Sequence, residues 1–292
     1  MGEGPDFYET TYSTVGTDVQ TRVRNETFDE DLGQAGWLRA SEAREFASWL
    51  GADVMSLLDV ACGSGGISTF LATELGADVI GIDNDPHAIR ATNERGHDRC
   101  SFEVADANDP LPFPEGSFDV VFSNDSVHHL RDRSAVLHDW ARVLRPGGQV
   151  LFTEGLVLTG SVSNEEIQRR TFMGFFMVTP VGANERAIRE AGLVLERVED
   201  RSEAVAEVGG RMRASRERYR DELIATEGAE TFEAFQGFLG VAVSLATERR
   251  LSRWVFHARK RGGRPVLAER HTEAKGARPL PSAGNRRTRA AK

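Results

Sequence analysis

The segment LLDVACGSGGIS (residues 57–68) constrains the fold more than any other stretch of the chain. An apolar run of strand length carries Asp59 near its end, and the chain then narrows to Ala61, Cys62, Gly63, Ser64, Gly65 and Gly66. Ile67, Phe70, Leu71 and Leu75 follow at helical spacing, and Gly76 stops the pattern. Strand, bare turn and helix in that order form the opening of a β-α-β unit. A turn without side chains lets a ligand reach backbone N–H groups at a helix start. Plain tight turns also use G-x-G, so the remaining chain has to decide what the turn is for.

The alternation continues. ADVIGID (77–83) reads as a second strand, and a helix capped by Asp85 with Pro86 in its first turn runs to Gly96. SFEVADA (101–107), FDVVFSND (118–125) and QVLFTE (149–154) are three more strands, the last two separated by a helix through Val136, Leu137, Trp140, Val143 and Leu144. Such spacing predicts right-handed crossovers and a mostly parallel sheet with helices on both faces. After Glu154 the rhythm changes around RTFMGFFMV (170–178). A short helix (184–191), a strand LVLERVED (193–200), two helical stretches (about 203–226 and 230–247) and a last strand LSRWVFHARK (251–260) follow. Residues 15–50 read as largely helical, with Ser41 as a cap and Ala43, Phe46, Ala47 and Leu50 on one face. The expected organisation is a helical N-terminal cover (1–50), one α/β domain (51–260) and a tail (261–292).

Charge separates the tail from the body. From Arg259 to Lys292 eleven Lys/Arg face only Glu269 and Glu273, whereas residues 1–258 carry 25 basic and 43 acidic side chains within a net charge of −9. An acidic body repels phosphate backbones, which argues against nucleic acid as a partner. The Arg-, Gly- and Pro-rich tail reads as disordered. Two cysteines, Cys62 and Cys100, form no disulfide framework and fit a reducing cytoplasmic setting. No signal-peptide pattern opens the chain, and no apolar run spans a bilayer.

The predicted strands end in acids. Asp59 stands six residues before Gly65, Asp83 twenty-four residues after Asp59, and Asp106-Ala107 and Ser123-Asn124-Asp125 close the third and fourth strands. Ligands of open α/β sheets bind at these carboxyl ends. A carboxylate set there is unwelcome beside a pyrophosphate and useful beside a cationic ligand. It suits an adenosine that carries a positive charge and an amino acid. Through LDVACGSG, VIGIDNDP, FEVADANDPLPFPEGSFDVVFSNDSVHHL and VLRPGGQVLFTE the sequence resembles the class I S-adenosylmethionine-dependent methyltransferases. The resemblance implies a Rossmann-like, seven-stranded sheet whose last strand is antiparallel, with S-adenosyl-L-methionine as cofactor. Asp59, Ala61, Gly63 and Gly65 would hold its methionine end, Asp83 with Asn84 the ribose, and Asp106 with Ala107 the adenine, with Asn124 nearby. On this reading the turn is bare for the cofactor, and Ala61, where many members have glycine, still permits it.

The acceptor side is less constrained. Asp125, His128 and His129 are metal-ligand types, but their spacing matches no closed site, so no metal is expected. Cys62 reads as small filler, and RERYRDE (216–222) as a solvated helix face. TYSTVG (11–16) and Asp125-x-x-x-His129 are similar to features of phosphoethanolamine N-methyltransferases, although the tyrosine-rich phosphate-binding segment of those enzymes is absent. The resemblance implies His129 as general base with Tyr12 as its partner. Of the neighbours His128 and His129, only one is expected to reach the pocket. Trp37, Asp125, His128, Phe175 and Phe176 are the expected substrate contacts. The expected function is methyl transfer to nitrogen or oxygen of a small-molecule acceptor by a monomer or homodimer. A non-catalytic S-adenosylmethionine-binding scaffold of the same fold is the alternative.

Overall fold

Strand β1 (Ser56–Val60) is buried along its last four residues because helices cover both faces of the sheet it centres. The computed structural model describes residues 7–262, with side chains from Thr11 onward. In chain order it contains α1 (Phe7–Thr14), α2 (Asp18–Thr27), α3 (Ala40–Leu50), β1, α4 (Gly66–Leu75), β2 (Asp78–Asp83), α5 (Pro86–Arg95), β3 (Cys100–Val104) and β4 (Phe118–Ser123). A single 3₁₀ turn (Val127–His129) precedes α6 (Arg133–Val143) and β5 (Leu144–Leu158). Then come α7 (Asn164–Arg170), β6 (Thr179–Pro180), α8 (Ala183–Glu190), β7 (Leu193–Asp200), α9 (Ser202–Arg218), α10 (Arg220–Glu227), α11 (Ala229–Thr247) and β8 (Leu251–Lys260).

The strands order as β3-β2-β1-β4-β5-β8-β7, and the two-residue β6 pairs with the end of β5. That bridge makes eight strands where seven are expected. β8 is antiparallel to both neighbours, and the other strand pairs are parallel. One apolar core lies on the α6/α8 face around Trp140, Phe152 and Phe256, and a second on the α3/α4 face around Phe46, Leu71 and Phe122.

A third cluster lies apart from these two. Val19, Val23, Phe28 and Trp37 from the N-terminal region pack with Val208, Met212, Phe232 and Phe238 from the helices between β7 and β8. The cover therefore draws on α2 and α9–α11 together. The expected cap at Ser41 shifts: α3 begins at Ala40, behind Arg39, with no side-chain cap. Asp85 does cap α5, accepting from His87 N at 2.7 Å. Among the described residues no helix is long and apolar enough to cross a membrane. The predicted basic tail from residue 263 on lies outside the described residues.

Candidate active site

The carboxyl ends of β1 to β4 open into one cavity of about 970 Å³, ample for a nucleoside-sized ligand and a second small molecule. One half is lined by Asp59, Ala61, Gly63, Asp83, Asn84, Asp106 and Ala107; the other by Trp37, Asn124, Asp125, His128, His129, Phe175 and Phe176, with Tyr12 also on the wall. Of the residues singled out from the sequence, Gly65 is not on that wall. It is the left-handed cap of α4, and a Cβ there would stand 2.3 Å from Thr92 and 2.8 Å from Phe102. Its bareness serves packing against α5 and β3.

The other glycines of the turn also face protein. A side chain at Gly63 would run into the Tyr12 hydroxyl, 2.8 Å from where its Cβ would stand, and one at Gly66 into the Leu32 carbonyl oxygen at 2.0 Å. Ser64 Oγ adds a 2.9 Å hydrogen bond to the Gly33 carbonyl. The turn is thus bare for the cover that closes on it as well as for a ligand. Ala61 adopts φ 59°, a conformation that costs an alanine roughly 1–2 kcal/mol. The turn is permitted there, with strain.

Two buried carboxylates stand beside this turn. Asp59 is 3% exposed and its Oδ2 accepts from Ser68 Oγ at 2.6 Å. Burial pushes its carboxyl up to about 7; the Ser68 bond offsets part of that push and the nearby Asp83 charge adds to it. Asp83 Oδ2 accepts from Gly63 N at 2.8 Å and Oδ1 from Asp85 N at 2.9 Å. Burial raises its pKa as well, against the pull of those N–H groups. Neither acid has a cationic side-chain partner among the described residues. Such a pair favours a positively charged ligand and repels a phosphate. Asp106 Oδ1 accepts from Asn108 N and Nδ2, both at 2.9 Å, which fixes its side chain at the end of β3. Burial pushes the Cys62 thiol well up, so it is filler and no thiolate.

The acceptor half departs from expectation in several places. His128 and His129 both reach the cavity, because a 3₁₀ turn sets successive side chains about a third of a turn apart. Their rings are 4.5 Å apart at the centroids, and both contact Phe176. His128 is buried with Nδ1 3.2 Å from Glu154 Oε1, and Glu154 Oε2 accepts from Arg133 at 2.8 Å. His129 Nδ1 lies 2.9 Å from the Phe175 carbonyl. A carbonyl only accepts, so Nδ1 carries the hydrogen and Nε2 the lone pair. Burial, then the neighbouring His128, push the His129 pKa down to about 3 rather than near neutrality.

Asp125, expected to meet substrate, has its carboxylate engaged by the protein. Oδ1 accepts from Arg253 Nε at 2.7 Å and Thr153 Oγ1 at 2.8 Å, and Oδ2 from Trp37 N at 3.1 Å. Its φ of 51° is left-handed, a region aspartate tolerates better than most residues. Arg216 lies in the stretch read as a solvated face, yet it is 3% exposed, ion-paired to Glu227 and stacked on Phe232 and Phe235. Arg216, Glu227, Arg170, Met173, Met212, Phe235 and Phe238 complete the wall without having been singled out from the sequence. Arg216 was legible in part: an Arg three residues before Tyr219, on a helix that already carries Met212, shares that helix's inner face.

Residues 58–152 match the family model for a methyltransferase domain. The chain is 37% identical over 155 residues to 27-O-demethylrifamycin SV methyltransferase of Amycolatopsis mediterranei, covering 50% of this chain and 57% of that protein. It is 30% identical over 180 residues to phosphoethanolamine N-methyltransferase of Triticum aestivum, covering 61% and 35%. The chain thus spans roughly a third to three fifths of these curated relatives. In fold it resembles Haemonchus contortus phosphoethanolamine N-methyltransferase 2, solved with phosphomonomethylethanolamine and S-adenosylhomocysteine, at a TM-score of 0.72 and 21% identity over 89% of this chain and 61% of that one.

Proposed function

We propose that the chain is a class I S-adenosylmethionine-dependent methyltransferase that transfers a methyl group to a nitrogen or oxygen of a small-molecule metabolite, a reading supported by the methyltransferase-domain match over residues 58–152 and by the methyltransferase relatives. The observation that carries this reading is the set of Asp59, Asp83 and Asp106 at the carboxyl ends of three adjacent parallel strands, all on one cavity wall with Gly63. The donor set fits the cofactor: buried acids for a cation and an amino acid, and Asp83 for a ribose. S-adenosyl-L-methionine supplies an electrophilic methyl group on a sulfonium.

The residues of the other half position and desolvate the acceptor. Most of the acceleration available to such a displacement comes from alignment, worth effective molarities of about 10⁵–10⁸ M. His129 borders the acceptor half of the cavity, where its ring helps to orient the acceptor's hydroxyl or amine. With its low pKa the ring stays neutral at working pH, so it directs the proton and does not store it. Tyr12, over Gly63, closes the site from the cover.

The test is a calorimetric titration with S-adenosylmethionine and S-adenosylhomocysteine, followed by methyl-transfer assays on hydroxyl- and amine-bearing acceptors. Tight binding of NADH with no adenosyl-ligand binding would overturn the reading. With an acceptor in hand, His129→Ala combined with Tyr12→Phe should cut turnover about tenfold, the scale of a lost orienting hydrogen bond, while cofactor affinity stays near normal. Full activity in the double variant leaves alignment as the whole mechanism.

A further inference from the structure

Four helices of the cover each bring one polar side chain to the cavity wall: Gln20 from α2, Arg216 from α9, Glu227 from α10 and Thr231 from α11. Their surroundings are apolar. Arg216 lies over the Phe232 and Phe235 rings, its guanidinium carbon 5.4 and 4.5 Å from the centroids. Arg216 and Glu227 form an ion pair whose side chains are 3% and 6% exposed.

The pair is an unfinished network. A guanidinium has five N–H donors and a carboxylate about four acceptor sites. Among the described residues Arg216 uses one donor, Nη2, on Glu227 Oε1, and its Nε is buried with no acceptor. Glu227 Oε2 receives Gln20 Nε2 at a long 3.4 Å. The terminal nitrogens of Arg216 and the second oxygen of Glu227 thus keep donors and lone pairs for a group in the cavity. The fold has little need of the pair, since apolar groups of similar volume in place of a buried ion pair are often neutral or stabilising. A run of rings leads from here to the reacting edge. Phe235 stacks on Phe238 with centroids 5.5 Å apart, and Phe238 on Trp37 at 5.9 Å. The Trp37 backbone N–H is held in turn by Asp125, just after β4.

We propose that Arg216 and Glu227 are the subsite for an uncharged hydroxyl or primary amide of the methyl acceptor, at the end of its body away from the methylated atom. The word acceptor rests on the methyltransferase reading; the polar subsite does not. Such a group accepts from the guanidinium and donates to the carboxylate at once. The pair is neutral as a whole, so an anion placed there meets Glu227 and a cation meets Arg216 at the same short range as its partner. The ring faces of Phe235, Phe238 and Trp37 take the apolar body between the two ends. The acceptor class is then an elongated, apolar or aromatic molecule with an uncharged polar group at its far end.

The experiment titrates benzamide into the protein saturated with S-adenosylhomocysteine, beside three molecules of similar size: toluene, benzoate and benzylammonium. Benzamide should bind about tenfold more tightly than any of the three. Glu227→Gln keeps the shape of the site and removes its negative charge, so benzoate should overtake benzamide. Arg216→Met with Glu227→Met is the second arm. It replaces the pair with apolar side chains, should unfold in urea no earlier than the wild type, and should bind toluene at least as well as benzamide. The same order of affinities in the wild type and both variants, a charged probe strongest in the wild type, or no saturable binding of benzamide would each overturn the proposal. So would a double variant that loses stability and keeps the benzamide preference, which assigns the pair to the fold alone. Failure of S-adenosylhomocysteine to bind would instead strike the cofactor reading, and a benzamide preference that Glu227→Gln inverts in that unloaded protein would still support the subsite.

Discussion

Asp59 is caught between two environments. Burial favours its neutral form, and the cation expected in the neighbouring cavity favours its charge. In the folded protein without ligand the carboxyl keeps its proton up to about pH 7, whereas the unfolded chain releases it near 4. The folded state then binds more protons between those values, so Asp59's contribution to stability falls as pH rises through that window. Cofactor affinity must run the other way, rising by up to about tenfold per pH unit below pH 7 and levelling above it. Calorimetry in buffers of different ionisation enthalpy should detect proton release on binding near pH 6, and Asp59→Asn should abolish both release and slope. A flat affinity profile in the wild type would show that no cation meets Asp59. At its neighbour the strain is conformational: Ala61→Gly relieves a left-handed alanine and should stabilise the protein by about 0.5–1 kcal/mol in urea unfolding. A loss of stability would mean that the Ala61 methyl is needed for packing.

Between α4 and the cover the decisive contact is made by backbone. Gly66 lets the Leu32 carbonyl come within 2.0 Å of where a Cβ would be, so Gly66→Ala must displace the Leu32–Gly33 segment. We expect a stability loss of about 1–3 kcal/mol and faster protease cutting within residues 28–40. Gly76→Ala is the control: its Cβ would meet open space at φ +66°, so it should cost about 1 kcal/mol and leave cutting unchanged. Unchanged cutting in Gly66→Ala would mean that the cover does not depend on that approach. This contact also shows where the sequence stops being legible. Strands, crossovers and the acids at their ends follow from local periodicity and turn chemistry, and β1 to β5 with Asp59, Asp83 and Asp106 were readable from them. That Gly66 faces Leu32, or that Arg216 turns inward to Glu227, depends on which surfaces meet in space. The break of one expected helix into α9 and α10 at Tyr219 was hidden for the same reason, since Tyr219 is held by Glu26 of α2 at 2.7 Å.

Across the whole molecule the same cavity edge is tied together by one fully buried arginine. Arg253 of β8 donates to both oxygens of Glu42 in α3, at 2.8 and 2.9 Å, to Asp125 Oδ1 after β4, and to Asn124 Oδ1 at 3.3 Å. Asp125 in turn holds the Trp37 backbone N–H. The first third of the chain, the cofactor edge of the sheet and the last strand thus share a single buried charge network. Taking these ions from water is costly, and the network returns that cost only while every member is paired. Arg253→Met leaves Asp125 buried without a cation and Glu42 with only Arg201 at 4.0 Å, so it should lose about 3–5 kcal/mol in urea unfolding. Adding Glu42→Met removes one of the stranded carboxylates and should restore a good part of that loss. It cannot restore the hold of Asp125 on Trp37, since Asp125 still lacks its arginine. The double variant should therefore regain stability while S-adenosylhomocysteine binding or acceptor turnover stays impaired. Stability within about 1 kcal/mol of wild type in Arg253→Met alone would show that water replaces the arginine at little cost. Joint recovery of stability and turnover in the double variant would show that the network supports the fold without positioning the site.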